Sequence, residues 1–73
     1  MTTRDERLAR AKETARKNSV GCKNTLWLVL EEVEKDERGV RGYCYRVDWR
    51  LWGSTSPIPV NAVASYRDGE SWD

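Results

Sequence analysis

Aromatic residues and arginines alternate between residues 41 and 52, and side chains of these two types are suited to recognising a ligand. The aromatic members are Tyr43, Tyr45, Trp49 and Trp52, and the basic members are Arg41, Arg46 and Arg50. Such side chains can stack on unpaired nucleic-acid bases, and they are also enriched at protein–protein hot spots. In a chain without phenylalanine, the aromatics can equally form the core. The residue types alone leave all three interpretations open.

The residues needed for common catalytic chemistry are missing. The chain has no histidine, so it lacks the most frequent general base and zinc ligand. None of its serines therefore has a histidine to activate it, and no GxxxxGK[ST] or GxGxxG phosphate loop occurs. Cys22 and Cys44 are expected to be free thiols in a reducing compartment. We predict a protein that is not an enzyme, holds no metal or cofactor, and acts by binding.

Charge is distributed unevenly along the chain. Residues 1–23 carry seven basic and three acidic side chains, whereas residues 24–73 have a net charge of −3. A basic segment of this kind is suited to an acidic patch on a protein, or secondarily to nucleic-acid phosphates. A pI of about 7.8 argues against a dedicated nucleic-acid binder. The residues predicted to contact a partner are Arg7, Arg10, Arg16, Lys17, Tyr43, Trp49, Arg50 and Trp52.

Residues 31–37 contain five acidic side chains, and we interpret this run as the solvated tip of a hairpin. The run lacks the glycine and the spacing of a calcium-binding loop. It could instead mimic a row of nucleic-acid phosphates, or meet a basic patch on a partner. An alternative function is therefore inhibition of a bacterial defence effector through this segment.

Residues 3–17 favour a helix. Good helix formers dominate, and Thr3 followed by Glu6 matches a capping box. Only Leu8, Ala11 and Ala15 form an apolar stripe, so packing should hold the helix weakly. We expect residues 1–24 to form a basic arm with a marginal or mobile helix and a loop.

Two alternating segments predict a β-hairpin. Residues 25–33 (TLWLVLEEV) fit a strand, although the same run also fits a helix. The polar turn KDERG follows, and residues 40–49 alternate, with Tyr43, Tyr45, Val47 and Trp49 on one face. Trp27 is predicted to lie in the core.

The segment after the hairpin is harder to assign. Pro57 and Pro59 exclude a central strand, so residues 58–60 should form an edge strand or an extended stretch. A short final strand should follow, with Val60 and Val63 turned inward, and residues 68–73 should form a flexible tail. The prediction is an α+β fold whose β domain spans residues 25–67 and contains a small antiparallel sheet of three to four strands, with a barrel-like closure as an alternative.

The chain resembles the small transcription regulators that lytic Xanthomonas bacteriophages direct against host RNA polymerase. The resemblance depends on the length of 73 residues, the charged opening MTTRDERLARAKETARK and the tryptophan-rich segment YRVDWRLWG. It implies a protein that binds the large polymerase subunits, inhibits host transcription initiation and promotes antitermination without catalysis. It implies no individual functional residue. With no signal peptide and no apolar run long enough to span a membrane, we expect a protein of the host bacterial cytoplasm that does not contact membranes. We also expect it to be a monomer until it binds its partner.

Overall fold

Within residues 3–72, which the computed structural model describes, one helix precedes four antiparallel strands. The elements are α1 (Arg4–Ser19), β1 (Thr25–Asp36), β2 (Gly39–Leu51), β3 (Ala62–Arg67) and β4 (Glu70–Ser71). The strands lie in the order β2-β1-β3-β4, and all neighbours are antiparallel. The α+β prediction is confirmed. The sheet is open, with β2 and β4 at opposite edges, so the barrel-like alternative is wrong.

The helix begins where the capping box predicts. The Thr3 hydroxyl accepts a hydrogen bond from the backbone N–H of Glu6 at 3.1 Å, which satisfies one of the unpaired donors of the first turn. Ala15 is fully buried against Val29 and Ala64 of the sheet. The predicted arm therefore lies against the sheet from Arg4 onward, although its mobility stays a prediction. Residues 1 and 2 lie outside the described part of the chain.

Strand β1 is at the centre of the fold because its apolar side chains are buried on both faces. On the helix side, Val29 is fully buried and Trp27 packs, partly exposed, against the same cluster. On the other side, Leu26, Leu28 and Leu30 form a second cluster with Ala62. Burial on both faces explains the nearly continuous apolar run LWLVL. The strand prediction is confirmed over the helix alternative.

The hairpin and the faces of β2 also agree with the alternation in the sequence. In the antiparallel pairing of β1 with β2, Trp27 lies opposite Trp49 and Val29 lies opposite Val47. A bulge interrupts this pairing between Glu34 and Lys35. Tyr45 and Val47 pack against the helix-side cluster. Consequently, the odd-numbered side chains of β2 from Tyr43 to Trp49 share the face on which α1 lies.

The segment after β2 contains the strand predicted to follow the prolines, β3, but two of its side chains are oriented differently from the prediction. Residues 52–61 form a loop without a strand, Val60 is fully exposed and Val63 is 41% exposed, so their predicted inward orientation is wrong. Val60 is exposed because the chain rejoins the sheet only at Asn61, whereas Val63 is the extra residue of β3 at a register shift opposite Val29 and Leu30. The Glu31 N–H donates to the Asn61 backbone carbonyl at 2.9 Å, and the side-chain amide of Asn61 donates to the Glu31 carbonyl at 3.0 Å.

The predicted tail contains a strand. Asp68 and Gly69 both have positive φ, 50° and 80°, and they form the tight turn that joins β3 to β4. The Ser19 hydroxyl accepts a hydrogen bond from the Gly69 N–H at 2.8 Å, which ties this turn to the end of α1. The backbone of Trp72 then donates to the Ser65 carbonyl at 2.8 Å. Residue 73 lies outside the described range.

We predict that Leu28→Ala lowers the free energy of unfolding by about 2–5 kcal/mol, because it leaves a cavity in the second cluster. Leu28 is only 2% exposed. Urea unfolding followed by tryptophan fluorescence measures the change. The control is Val40→Ala, since Val40 is exposed near the hairpin turn. Similar losses in both variants would contradict the assignment of this core.

Candidate functional site

The first turn of α1 is held over the sheet by an ion pair inside a hydrogen-bonded network. Arg4 donates to the Glu31 carboxylate at 2.7 Å and to the Tyr45 hydroxyl at 3.0 Å. Tyr45 donates to the same Glu31 oxygen at 2.8 Å. The Arg4 guanidinium also lies 4.0 Å from the centre of the Tyr43 ring. These two tyrosines, in the aromatic row that the sequence singled out, thus help to hold the helix.

The network changes the acidity of its members. Hydrogen bonds from Arg4 and Tyr45 lower the pKa of the Glu31 carboxyl below its usual range. Burial raises the pKa of the Tyr45 hydroxyl. Because the folded state favours ionised Glu31, this carboxylate stabilises the fold above its ordinary pKa, and the contribution is lost as pH falls towards the lowered value.

A groove of about 380 Å³ lies between α1 and β2. Its lining residues are Arg7, Arg10, Ala11, Thr14, Cys44, Tyr45 and Val47. Arg7 donates to the Tyr43 carbonyl at 3.1 Å, which fixes its side chain at one end. Arg10 is exposed and forms no ion pair with any described residue. The groove therefore combines apolar walls with a cation that is available to a ligand.

The outer edge of β2 lies beside this groove and is open. Just after β2, Trp52 donates its backbone N–H to the Asn24 carbonyl at 2.8 Å. Continued back along β2, this pattern points the backbone N–H and C=O groups of the even-numbered residues towards β1. Since pairing alternates in antiparallel strands, the odd-numbered residues from Tyr43 to Leu51 point their backbone groups outward.

Several of these outward groups have a partner in the same chain. Arg7 covers the Tyr43 carbonyl, the Asp48 carboxylate accepts from the Trp49 N–H at 2.8 Å, and Ser54 covers the Leu51 carbonyl. Among the described residues, nothing covers the N–H and C=O groups of Tyr45 and Val47 or the C=O of Trp49. Tyr45 and Val47 therefore lie next to the groove, between the covered carbonyl of Tyr43 and the covered N–H of Trp49.

The aromatic anchor predicted from Trp49, Arg50 and Trp52 is split between the two faces of the sheet. Trp49 is 55% exposed on the helix side. Arg50 points to the other face and donates to the carbonyls of Ser56 and Pro57 at 2.8 and 3.0 Å, so it holds the loop after β2. Neighbouring residues of a strand face opposite sides, which explains the separation.

Trp52 belongs to an aromatic cluster that the sequence did not reveal. Its ring lies edge-on to Trp72, with centroids 4.7 Å apart, and the Arg67 guanidinium is 4.0 Å from the Trp52 ring centre. Trp72 and Arg67 come from the segment after the loop, so only the tertiary fold brings the three together. Within this cluster Trp52 fastens the end of the chain to the sheet.

The remaining predicted partner residues, Arg16 and Lys17, lie in the last turn of α1, away from the groove. Both pair with Glu13, at 2.7 and 3.7 Å. The structure therefore brings together Arg7, Arg10 and Tyr43 of the predicted set, with Trp49 farther along the same face of β2. It does not join Arg16, Lys17, Arg50 or Trp52 to them.

The acidic run is partly neutralised within the chain. Glu31 pairs with Arg4, Glu32 lies 3.5 Å from Arg46, and Asp36 lies 3.4 Å from Arg41. No group of three or more cysteine or carboxylate side chains suited to a metal ion occurs in the described range. In the same range, no helix has the length and apolar character needed to cross a membrane.

No protein-family model, curated protein or solved structure matches this chain. Its candidate site is therefore defined by geometry alone: the uncovered backbone of β2, the adjoining groove, and the exposed side chains of Arg10 and Trp49.

We predict that Trp52→Ala and Trp72→Ala each reduce stability and that their effects are not additive. The edge-on contact between the rings is worth about 0.5–1.5 kcal/mol beyond area burial, so the double variant should lose less than the sum of the two. Urea unfolding of the wild type, both single variants and the double variant measures this coupling. Strict additivity would contradict the cluster.

We predict that Glu31→Gln lowers the free energy of unfolding at neutral pH. As the pH falls below about 4.3, the ordinary pKa of glutamate, the variant should lose less stability than the wild type does. The variant lacks the carboxylate that Arg4 and Tyr45 keep ionised. Unfolding midpoints across a pH series measure the effect. Glu34→Gln, an exposed neighbour on the same strand, should retain the wild-type profile. An unchanged profile in Glu31→Gln would rule out the network as its source.

Proposed function

We propose that this protein is a non-catalytic regulator that binds another protein by adding a strand to the open edge of β2. The observation that carries the proposal is the uncovered backbone of Tyr45 and Val47 beside the groove under α1. In this mode of recognition, backbone hydrogen bonds supply affinity, and pockets for alternate side chains supply specificity.

The groove defines the chemistry of the partner segment. An extended strand paired with β2 directs every second side chain towards the helix side, where Ala11 and Val47 offer apolar contact. Arg7 and Arg10 at the same groove favour a carboxylate at one of these positions. The preferred partner is thus an extended acidic and apolar segment of a larger protein.

The resemblance to phage transcription regulators makes bacterial RNA polymerase the first partner to test, in the host cytoplasm. A bound regulator would inhibit initiation by occupying a surface that an initiation factor needs. It would promote antitermination by binding one state of the elongating enzyme more tightly than another. Both effects need differential binding and no catalytic residue.

Contact with nucleic acid is a secondary proposal, supported by Trp49 and Arg10. The exposed indole of Trp49 can stack on a base, and the exposed guanidinium of Arg10 can bind a phosphate. The neighbouring tyrosines are less suited to this role, because Arg4 covers the Tyr43 ring and bonds to the Tyr45 hydroxyl. The aromatic row is therefore not a continuous stacking surface.

We predict that Arg10→Glu reduces capture of RNA polymerase subunits from bacterial lysate at low salt, weakening binding by about tenfold, or about 1.4 kcal/mol. The reversed charge repels an acidic segment in the groove. Immobilised full-length chain and quantitative mass spectrometry provide the measurement.

The matched control for this capture experiment is Arg38→Glu, which makes the same charge change at the β1–β2 turn. It should bind as the wild type does. Equal capture by Arg10→Glu and wild type would reject the groove as the binding site. Failure of the wild type to capture any polymerase subunit would reject polymerase as the partner.

A further inference from the structure

We propose that two copies of this chain pair through the outer edges of β2, antiparallel, with Val47 opposite Val47 of the second copy. The edge is open at Tyr45 and Val47, and it is long enough for a continuous ladder. A second copy is the occupant that the charges of the edge favour, because the register centred on Val47 makes β2 complementary to itself. A register centred on Trp49 also pairs opposite charges, Asp48 with Arg50, but there Arg50 already holds the Ser56 and Pro57 carbonyls, and Ser54 already holds the Leu51 carbonyl.

Backbone geometry limits the registers. Outward-facing residues must meet outward-facing residues, so an odd-numbered position pairs only with an odd-numbered position. Centring the pair on Arg46 places two arginines directly opposite each other, and centring it on Asp48 does the same with two aspartates. Centring it on Val47 places Arg46 opposite Asp48 of the second copy, twice by symmetry. Opposite charges stabilise such a pair, and like charges destabilise it.

The helix face of the same register is also complementary. Tyr45 meets Trp49 of the second copy, and aromatic cross-strand pairs are favourable. The exposed Trp49 indole then lies next to Tyr45 of the second copy, which lines the partner groove together with Arg10. A cation near an indole face adds a further attraction. The groove and the exposed tryptophan, which have no mutual contact within one chain, thus become partners across the dimer.

The caps on the edge fit this arrangement. The uncovered N–H and C=O groups of Val47 form two hydrogen bonds with the same groups of Val47 in the second copy. The Tyr45 N–H can donate to the uncovered Trp49 carbonyl of the second copy. Within one chain, Asp48 holds the Trp49 N–H. When Asp48 turns to Arg46 of the second copy, that N–H becomes available to the Tyr45 carbonyl.

Dimer formation would add buried surface to a small domain, and it would occupy the edge that the proposed partner binds. A domain of 73 residues has a small core, and oligomerisation is a common way to add buried surface. The sequence alone favoured a monomer, whereas the register of the edge favours a pair. The dimer does not depend on the proposed function, but it covers the same edge, so self-pairing and partner binding exclude each other.

Light scattering on the purified full chain across a concentration series tests the dimer. The wild type should reach about twice the 8.5 kDa of one chain. Arg46→Asp and Asp48→Arg should each remain monomeric, because each places like charges opposite each other. An equal mixture of the two variants, and the double variant Arg46→Asp/Asp48→Arg, should regain the mass of a dimer.

A wild type that stays monomeric up to its solubility limit would overturn the proposal, as would single variants that dimerise like the wild type. Circular dichroism checks folding, and the mixture and the double variant keep the test valid if one single variant unfolds. A monomeric wild type that captures polymerase through Arg10 rejects only the dimer. A dimer that captures nothing rejects only the proposed function.

Discussion

The fold depends on the burial of strand β1 on both of its faces. Val29 is enclosed under Ala15 of the helix, and Leu28 lies in the cluster on the other side. The helix therefore covers one face of the sheet. On the opposite face, Arg50 holds the loop after β2 through a hydrogen bond to the Ser56 carbonyl. With β3 on one side of β1, strand β2 occupies the other side and becomes an edge.

An edge strand of 13 residues is normally an aggregation hazard, and this protein covers two of its outward backbone groups with its own side chains. Arg7 and Asp48 occupy outward backbone groups at Tyr43 and Trp49. The uncovered middle lies where the basic helix borders the strand. Partial protection of this kind limits indiscriminate pairing and leaves one short segment for a complementary strand, whether from another protein or from a second copy.

Local features of the fold were predictable from the sequence. The capping residue Thr3, the alternation of β2 and the apolar run of β1 each depend on residues close in the chain. Long-range features were not. The contact of Trp52 with Trp72 and the hydrogen bonds of Arg50 to the following loop arise only when distant segments meet.

The candidate site was predictable only in part for the same reason. The sequence identified Arg7, Arg10, Tyr43 and Trp49, which the structure places on one side of the sheet. It also grouped Trp49 with Arg50 and Trp52, although the alternation of a strand sends successive residues to opposite faces. The open edge has no signature in residue types, since it depends on which strand neighbours which.

Amide hydrogen exchange along β2, followed by NMR in dilute solution, tests the open edge most directly. The structure predicts that the amides of Arg46 and Asp48, which face β1, exchange slowly. The outward amides of Tyr45 and Val47 should exchange much faster, and should become protected as the concentration rises. Equal protection of all four amides at high dilution would contradict an open β2 edge.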